Sequence, residues 1–230
     1  MPNVQLVCLP FAGSGASFFR NSPPSAAVDL VPIQLPGREE RFGEKPYSEM
    51  NLARAGVAET IAKTVDAETS IALFGHSLGA VLAFEVARLL GKRVSHLFVS
   101  GSPDPWHPRS ERASELSDEQ FLAQVETFAG YSHPALAHPE MRQIVLPALR
   151  ADVAMHENYL AEPGAVIAAP ITALRGRDDA LVAESDMRGW AEATSAEFAL
   201  HTFAGGHMYI ADHLDEVWQL VADTAVTQHA

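Results

Sequence analysis

The chain has 230 residues, enough to bury one substantial core, and 47% of them are hydrophobic while 20% are charged. A formal net charge of −13 argues against a nucleic-acid partner, because no broad basic face could neutralise phosphates. The single cysteine, Cys8, excludes an internal disulfide framework and fits a reducing compartment. Neither a signal-peptide pattern nor an apolar run long enough for a membrane span is apparent, so we expect a cytoplasmic protein with no membrane partner.

Short apolar runs alternate with longer helical patterns, which is typical of a mostly parallel sheet flanked by helices. Buried parallel strands are apolar on both faces, and residues 71–74 form such a run. Apolar residues at helical spacing mark the helices. The predicted strands lie at residues 4–9, 28–35, 71–74, 94–100, 171–174 and 197–203, and the predicted helices at 52–65, 78–90 and 214–226. We therefore predict a single α/β domain over residues 1–230.

One long connection interrupts this alternation. About seventy residues separate the fourth and fifth predicted strands, far more than a usual connection needs. Helical patterns at residues 118–128 and 141–160 lie within it. We interpret residues 104–162, approximately, as a helical insertion, which in an enzyme would form a lid over the site.

The pattern G-x-S-x-G stands at residues 75–79, after an apolar predicted strand and at the start of a long apolar predicted helix. In a nucleophile elbow the serine occupies a tight strand-to-helix turn that only small neighbours allow to close. The free N–H groups at the helix start then point at the reacting oxygen. This context predicts Ser77 as a nucleophile and the Leu78 N–H as one oxyanion donor. The alternative is a glycine-rich turn with an idle serine.

Candidate partners follow Ser77 in the order acid, then base, which is the chain order of α/β-hydrolases. Asp178 and Asp179 come just after the fifth predicted strand, and His207 follows the sixth, behind two glycines. The carboxyl ends of parallel strands form the edge at which ligand sites lie. We predict an α/β-hydrolase fold with His207 as base and Asp179 as acid, while Asp178 stays open as the alternative acid. The expected reaction forms an acyl-enzyme on Ser77 that water resolves.

The other histidines and the loop at residues 10–15 allow other interpretations. His213 could face the site from the last helix, whereas His76, inside the elbow, suits packing or hydrogen bonding better than base catalysis. His133 and His138 could suggest a metal, but no cysteine or carboxylate cluster stands at ligand spacing. The loop lacks the G-x-G-x-x-G spacing and the lysine of phosphate sites, so we expect it to supply the second oxyanion donor. We expect no cofactor and no metal.

Five segments, in chain order, resemble those of type II thioesterases, the stand-alone editing enzymes of polyketide and nonribosomal peptide synthesis. They are L-P-F-A-G-S-G-A-S at 9–17, L-P-G-R-E-E-R at 35–41, G-H-S-L-G-A at 75–80, L-P-A-L-R-A-D at 146–152 and G-G-H at 205–207. The resemblance implies hydrolysis of acyl groups from the phosphopantetheine arm of acyl or peptidyl carrier proteins in antibiotic biosynthesis. It also implies Ala12 as the second oxyanion donor. We expect the chain to act as a monomer.

Some residues of these segments depart from the family or carry no assigned chemistry. Phe11 stands where histidine is common, and Met208-Tyr209 replaces two phenylalanines, so the acyl pocket would be reshaped. Arg38 and Arg41 would either contact the carrier or its phosphate arm, or be solvated or paired with Glu39, Glu40 and neighbouring carboxylates. Arg150 and Asp152 are expected to brace the lid.

Two other functions stay open at this point. The same three residues would serve a general carboxylesterase or lipase-like enzyme that acts on oxygen esters. A non-catalytic module that binds acyl carriers is the second alternative. The complete set of Ser77, Asp179 and His207 argues against that module.

Overall fold

The computed structural model describes residues 4–20, 28–109, 112–129, 136 and 138–227. Its strands are β1 (Val4–Leu9), β2 (Val28–Pro32), β3 (Ile71–His76), β4 (Val94–Ser100), β5 (Ile171–Gly176) and β6 (Phe198–Phe203). They form one sheet in the order β2-β1-β3-β4-β5-β6, and every neighbouring pair is parallel. The predicted α/β architecture with a mostly parallel sheet is confirmed.

Helices connect these strands and cover both faces of the sheet. They are α1 (Ser17–Arg20), α2 (Met50–Thr64), α3 (Leu78–Leu90), α4 (Asp118–Ala129), α5 (Pro139–Glu157), α6 (Glu184–Arg188) and α7 (Ile210–Thr227). Within the described ranges, none of them combines the length and the apolar character that a membrane crossing requires.

The core has two parts, one on each face of the sheet. Alternate residues of a strand face opposite sides. Accordingly, Val7 and Leu9 of β1 pack with α2 and α3, whereas Leu6 and Cys8 pack with α1 and α7. All of β3 is buried, and so are residues 78–87 of α3. A helix covered on more than one side is apolar almost all round, which explains the nearly unbroken apolar sequence of α3.

Several bounds differ from those that the sequence predicts. β1 and β4 have the predicted bounds. β3 ends at His76 rather than at residue 74, and β5 ends at Gly176 rather than at residue 174. β2 ends at Pro32 instead of residue 35, although the Ile33 N–H still donates to the carbonyl of Cys8 at 2.9 Å. α7 begins at Ile210, but its backbone is non-helical at His213, with φ of −119° and ψ of 22°, so the helix after this kink starts at the predicted residue 214. The short helices α1 and α6 were not predicted, since four or five residues are too few to establish a period.

The long connection at residues 104–162 contains α4 and α5, with a hydrophobic cluster of its own. That cluster comprises Ala113, Phe121, Leu136, Leu146 and Leu149, and Ala12 packs against it. Arg150 of α5 donates to the Asp118 carboxylate at 2.7 Å, and its guanidinium lies 4.4 Å from the centre of the Phe121 ring. Arg150 therefore joins the two helices, as predicted for a bracing residue. The interpretation as one domain with a lid stays a prediction.

Candidate active site

Ser77 occupies the turn between β3 and α3 with φ of +53° and ψ of −118°, a conformation that costs energy in a residue with a side chain. The flanking glycines allow it. A Cβ on Gly75 would lie 2.0 Å from the carbonyl oxygen of Gly79, and one on Gly79 would lie 2.4 Å from that of Leu9. The Ser77 N–H donates to the carbonyl of Ser100 at 2.8 Å, which ties the turn to the end of β4.

The structure brings Asp179 and His207 together. Nδ1 of His207 lies 2.9 Å from Oδ2 of Asp179, and the Asp179 side chain is completely buried. Oδ1 of Asp179 accepts hydrogen bonds from the N–H groups of Leu181 at 2.9 Å and Val182 at 3.2 Å. Asp178, the alternative acid, is exposed to solvent. The geometry therefore favours Asp179 as the partner of the imidazole.

Close contact between two loop backbones produces this pairing. A Cβ on Gly176, at the end of β5, would lie 2.2 Å from the carbonyl oxygen of Gly206. The Asp178 N–H donates to the carbonyl of Gly205 at 2.9 Å, and Gly205 has φ of +98°, which glycine adopts readily. The glycines before His207 thus allow its loop to lie directly against the loop that carries the acid.

Ser77, His207 and Ala12 line the same cavity, which has a volume of about 500 Å³. Within the described part of the chain, no hydrogen bond joins the His207 ring to the Ser77 hydroxyl, although the ring is held on its Asp179 side. Such bonds often tighten only when substrate binds. Most of the other lining side chains are apolar, among them Phe11, Val125, Leu149, Val153, Leu181 and Met208. The cavity therefore suits an acyl chain.

Of the two predicted oxyanion donors, Ala12 lines this cavity and Leu78 directly follows Ser77, which also lines it. Leu78 is the first residue of α3, and the first N–H groups of a helix have no partner within it. Ala12 lies in a turn that the Ser14 N–H closes by donating to the carbonyl of Phe11 at 3.0 Å. Gly13 in this turn has φ of +76°, as the third residue of a type II turn requires. Their role as donors stays a prediction.

A buried polar chain beside His207 was not predicted. Ser100 Oγ lies 2.8 Å from Nδ1 of His76 and 2.7 Å from the hydroxyl of Tyr209. Burial lowers the pKa of His76 well below its ordinary value, with a smaller contribution from the charge of His207. Neutral His76 therefore serves as a hydrogen-bonding and packing residue. The sequence carried one indication of this polar chain, because Tyr209 stands where the resemblance described above leads one to expect phenylalanine.

Arg109 and His156 also line the cavity, and no local pattern indicated either residue. The Arg109 guanidinium donates to Ser102 Oγ at 3.2 Å and contacts Nε2 of His156. Burial lowers the pKa of Arg109 to about 10, while nearby carboxylates such as Asp104 oppose that shift. Burial, and next the Arg109 charge, lower the pKa of His156 well below its ordinary value. Arg109 thus places a positive charge in a mainly apolar cavity that the acidic residue Glu157 also lines.

Arg38 does not face solvent. Only 8% of its side chain is exposed, and it pairs with Asp152 of α5, which is 1% exposed. Of the two alternatives for Arg38, the structure favours pairing with a carboxylate. That carboxylate belongs to α5 rather than to a sequence neighbour.

The remaining candidate histidines lie away from the cavity or cannot be described. His213 pairs with Glu216 at 2.8 Å on α7. His138 is exposed at the start of α5, and His133 lies outside the described residues. Over the ranges that the structure covers, no group of three or more histidine, cysteine and acidic residues could hold a metal ion.

Comparisons with known proteins extend over nearly the whole chain. A family model described as a thioesterase domain matches residues 4–224. The thioesterase PikA5 of Streptomyces venezuelae is 37% identical over 227 residues, which cover 96% of this chain and 80% of that protein. The gramicidin S biosynthesis protein GrsT of Aneurinibacillus migulanus is 34% identical over 214 residues, which cover 90% of this chain and 83% of GrsT.

A solved structure shows the same similarity in three dimensions. The type II thioesterase BorB, from the borrelidin biosynthetic cluster, superposes with a TM-score of 0.81 at 33% identity. The superposition covers 97% of this chain and 93% of BorB. The predicted α/β-hydrolase fold is therefore confirmed.

Proposed function

This chain belongs to the type II thioesterases of the α/β-hydrolase fold, and from that membership we propose that it removes acyl groups from the phosphopantetheine arms of acyl or peptidyl carrier proteins. The observation that carries the proposal is the cavity that Ser77 and His207 share, in a chain similar over its length to enzymes of antibiotic assembly. The predicted resemblance to this family, made from the sequence segments, is confirmed by these comparisons.

The proposed mechanism assigns roles to Ser77, His207 and two backbone N–H groups. His207 accepts the proton of Ser77, whose oxygen attacks the thioester carbonyl carbon, and the Leu78 and Ala12 N–H groups stabilise the resulting oxyanion. When the C–S bond breaks, His207 returns the proton to the departing sulfur. Water then attacks the acyl-Ser77 ester with His207 again as base, which releases the carboxylic acid and restores the serine.

Asp179 supports this mechanism through its contacts. Its buried carboxylate holds Nδ1 of His207, which leaves Nε2 as the nitrogen available to Ser77. The two backbone N–H groups on Oδ1 keep that carboxylate in one orientation. A thiol leaving group with a pKa of about 8.5 departs readily, so thioester cleavage needs less acid assistance than amide cleavage.

The biological role we propose is editing. A hydrolase with an acyl cavity would clear stalled or wrongly primed chains from the carriers of a polyketide or nonribosomal peptide synthase. The relatives support this role, because PikA5 is named a thioesterase and GrsT a gramicidin S biosynthesis protein. The helical segment that carries α4 and α5 would act as the lid over the bound chain.

A panel of acylated carrier proteins, varied in chain length and branching, tests the substrate. We expect the enzyme to release the free acid from the carriers, which mass spectrometry follows as loss of the acyl mass. Ser77→Ala should abolish turnover while the melting temperature stays nearly unchanged.

Two further measurements separate the alternatives. A matched pair of substrates, an acyl-pantetheine thioester and its oxygen-ester analogue, should show preference for the thioester; the opposite preference would indicate a general carboxylesterase. A fluorophosphonate should transfer its phosphonyl group to Ser77 with loss of fluoride, and an unlabelled serine would indicate a non-catalytic carrier-binding module.

A further inference from the structure

Arg38 and Asp152 form a buried ion pair beside the loop at residues 10–15. Nη2 of Arg38 donates to Oδ1 of Asp152 at 2.9 Å, and Nη1 donates to Oδ2 at 2.5 Å, so the contact is bidentate. Both side chains are more than nine-tenths buried. A bidentate arginine–carboxylate pair fixes two planar groups relative to each other, and burial keeps water from competing for them.

Each partner also holds one backbone group of the turn at residues 11–14. Oδ2 of Asp152 accepts a hydrogen bond from the Gly13 N–H at 2.8 Å. Nη1 of Arg38 donates to the carbonyl of Ser14 at 3.2 Å. The guanidinium is itself anchored, since Nε and Nη2 each donate to the carbonyl of Pro36 at 3.3 Å. The pair thus joins the turn to the segment after β2 and to α5.

The direction of the Ala12 N–H depends on this turn. The Phe11 carbonyl belongs to the same peptide unit as that N–H and accepts a hydrogen bond from the Ser14 N–H at 3.0 Å. Since the described peptide bonds are trans, the Ala12 N–H points away from the Phe11 carbonyl. Ala12 lies on the cavity wall that Ser77 shares. Anchors on Gly13 and Ser14 therefore determine where this donor is aimed.

We propose that Arg38 and Asp152 are positioning residues, which hold the turn so that the Ala12 N–H is directed at the oxyanion before substrate arrives. A donor fixed in advance stabilises the transition state without reorganisation during the reaction. Because Asp152 is part of α5, the ion pair also couples the position of the lid helix to the oxyanion site. This inference rests on the proposed function, in which Ser77 attacks the thioester and Ala12 donates.

Two variants separate positioning from stability. Asp152→Asn keeps an oxygen that can accept from Gly13 but leaves the buried Arg38 charge without a counter-charge, which destabilises the fold. The double variant Arg38→Met/Asp152→Leu removes both charges and both anchors, and apolar replacement of a buried pair often preserves stability. The double variant should therefore have the higher melting temperature and the lower kcat.

The expected loss in kcat is about 100-fold for the double variant and about 10-fold for Asp152→Asn, with KM within about threefold of the unmodified enzyme. A trifluoromethyl ketone that forms a tetrahedral adduct with Ser77 should bind more weakly by the same factors, because it needs the same donor. These opposite rankings of kcat and melting temperature distinguish positioning from a merely structural role.

Glu85→Gln is the matched control. Glu85 is a buried carboxylate held by Arg54 at 2.7 Å and Arg88 at 2.8 Å, and it does not line the cavity. This variant should lower the melting temperature and leave kcat unchanged. If kcat follows melting temperature across the set, or if the double variant retains full kcat, the inference is wrong. Fluorophosphonate labelling of the unmodified enzyme tests the proposed function separately, since its absence would overturn that function rather than this inference alone.

Discussion

Two neighbouring aspartates after β5 have opposite environments. Asp179 is buried against His207, while Asp178 is exposed, with only its backbone N–H bound to the histidine loop. We predict that Asp179→Asn lowers kcat about 10⁴-fold, because an amide favours the wrong tautomer of the imidazole. Asp178→Asn should change kcat by no more than about twofold, as surface substitutions usually do. Steady-state kinetics on one acyl-carrier substrate compares them, and the reverse pattern would assign the acid to Asp178.

The positions of individual residues at the cavity were predictable only where a local pattern marked them. Ser77 is recognisable because its glycine neighbours and flanking elements meet the steric demands of an elbow. Arg109 and His156 carry no such pattern. They approach the cavity from an irregular loop and from the end of α5, and only tertiary packing places them there. The choice between Asp178 and Asp179 likewise depends on which side chain the loop turns inward.

The strand–turn–helix element of β3 and α3 depends on a close backbone approach at Gly75. The atom nearest to a Cβ there would be the carbonyl oxygen of Gly79, which cannot move without unwinding the helix start. We predict that Gly75→Ala lowers the free energy of unfolding by about 3 kcal/mol and abolishes turnover. Urea denaturation and single-turnover deacylation measure the two effects.

Gly43→Ala is the control for that substitution. Nothing lies within 4 Å of a Cβ at Gly43, and its φ is outside the left-handed region. We expect the alanine to leave activity unchanged and to raise the free energy of unfolding by about 0.5 kcal/mol, since it restricts the unfolded chain. Equal effects at Gly75 and Gly43 would contradict a steric role for the elbow glycine.

Elements with a long or strongly apolar pattern were predictable, and short ones were not. The bounds of α3 match the prediction, because its burial on several sides requires an unbroken apolar sequence. α1 and α6 are too short for a period to be detected. β6, at the sheet edge, has no fully buried residue, and its predicted start differs from Phe198 by one residue.

At the scale of the whole molecule, the order of strands and helices was enough to predict the fold. Contacts between segments that are far apart in the chain could not be predicted. Alternating strands and helices predict a parallel sheet, and its carboxyl edge gathers the residues that follow different strands. The pair of Arg38 and Asp152 spans 114 positions, and no spacing rule relates its members. The two segments that contain them were recognisable as signatures of the family, but their joint contact with the turn at residues 11–14 emerges only from packing.

The stability of the whole domain should depend on pH through its buried histidines. Burial lowers the pKa of both His76 and His156 below the ordinary value of about 6.5, so each is neutral when folded and takes up a proton on unfolding in mild acid. The unfolded state then binds more protons, and stability falls as pH falls below about 6.5. We predict that the free energy of unfolding falls between pH 6 and pH 5, by at most about 1.4 kcal/mol per pH unit for each of the two histidines. Urea denaturation across this range measures the slope, and His156→Gln should reduce it by one histidine's share. An unchanged slope in that variant would show that His156 is protonated in the folded enzyme.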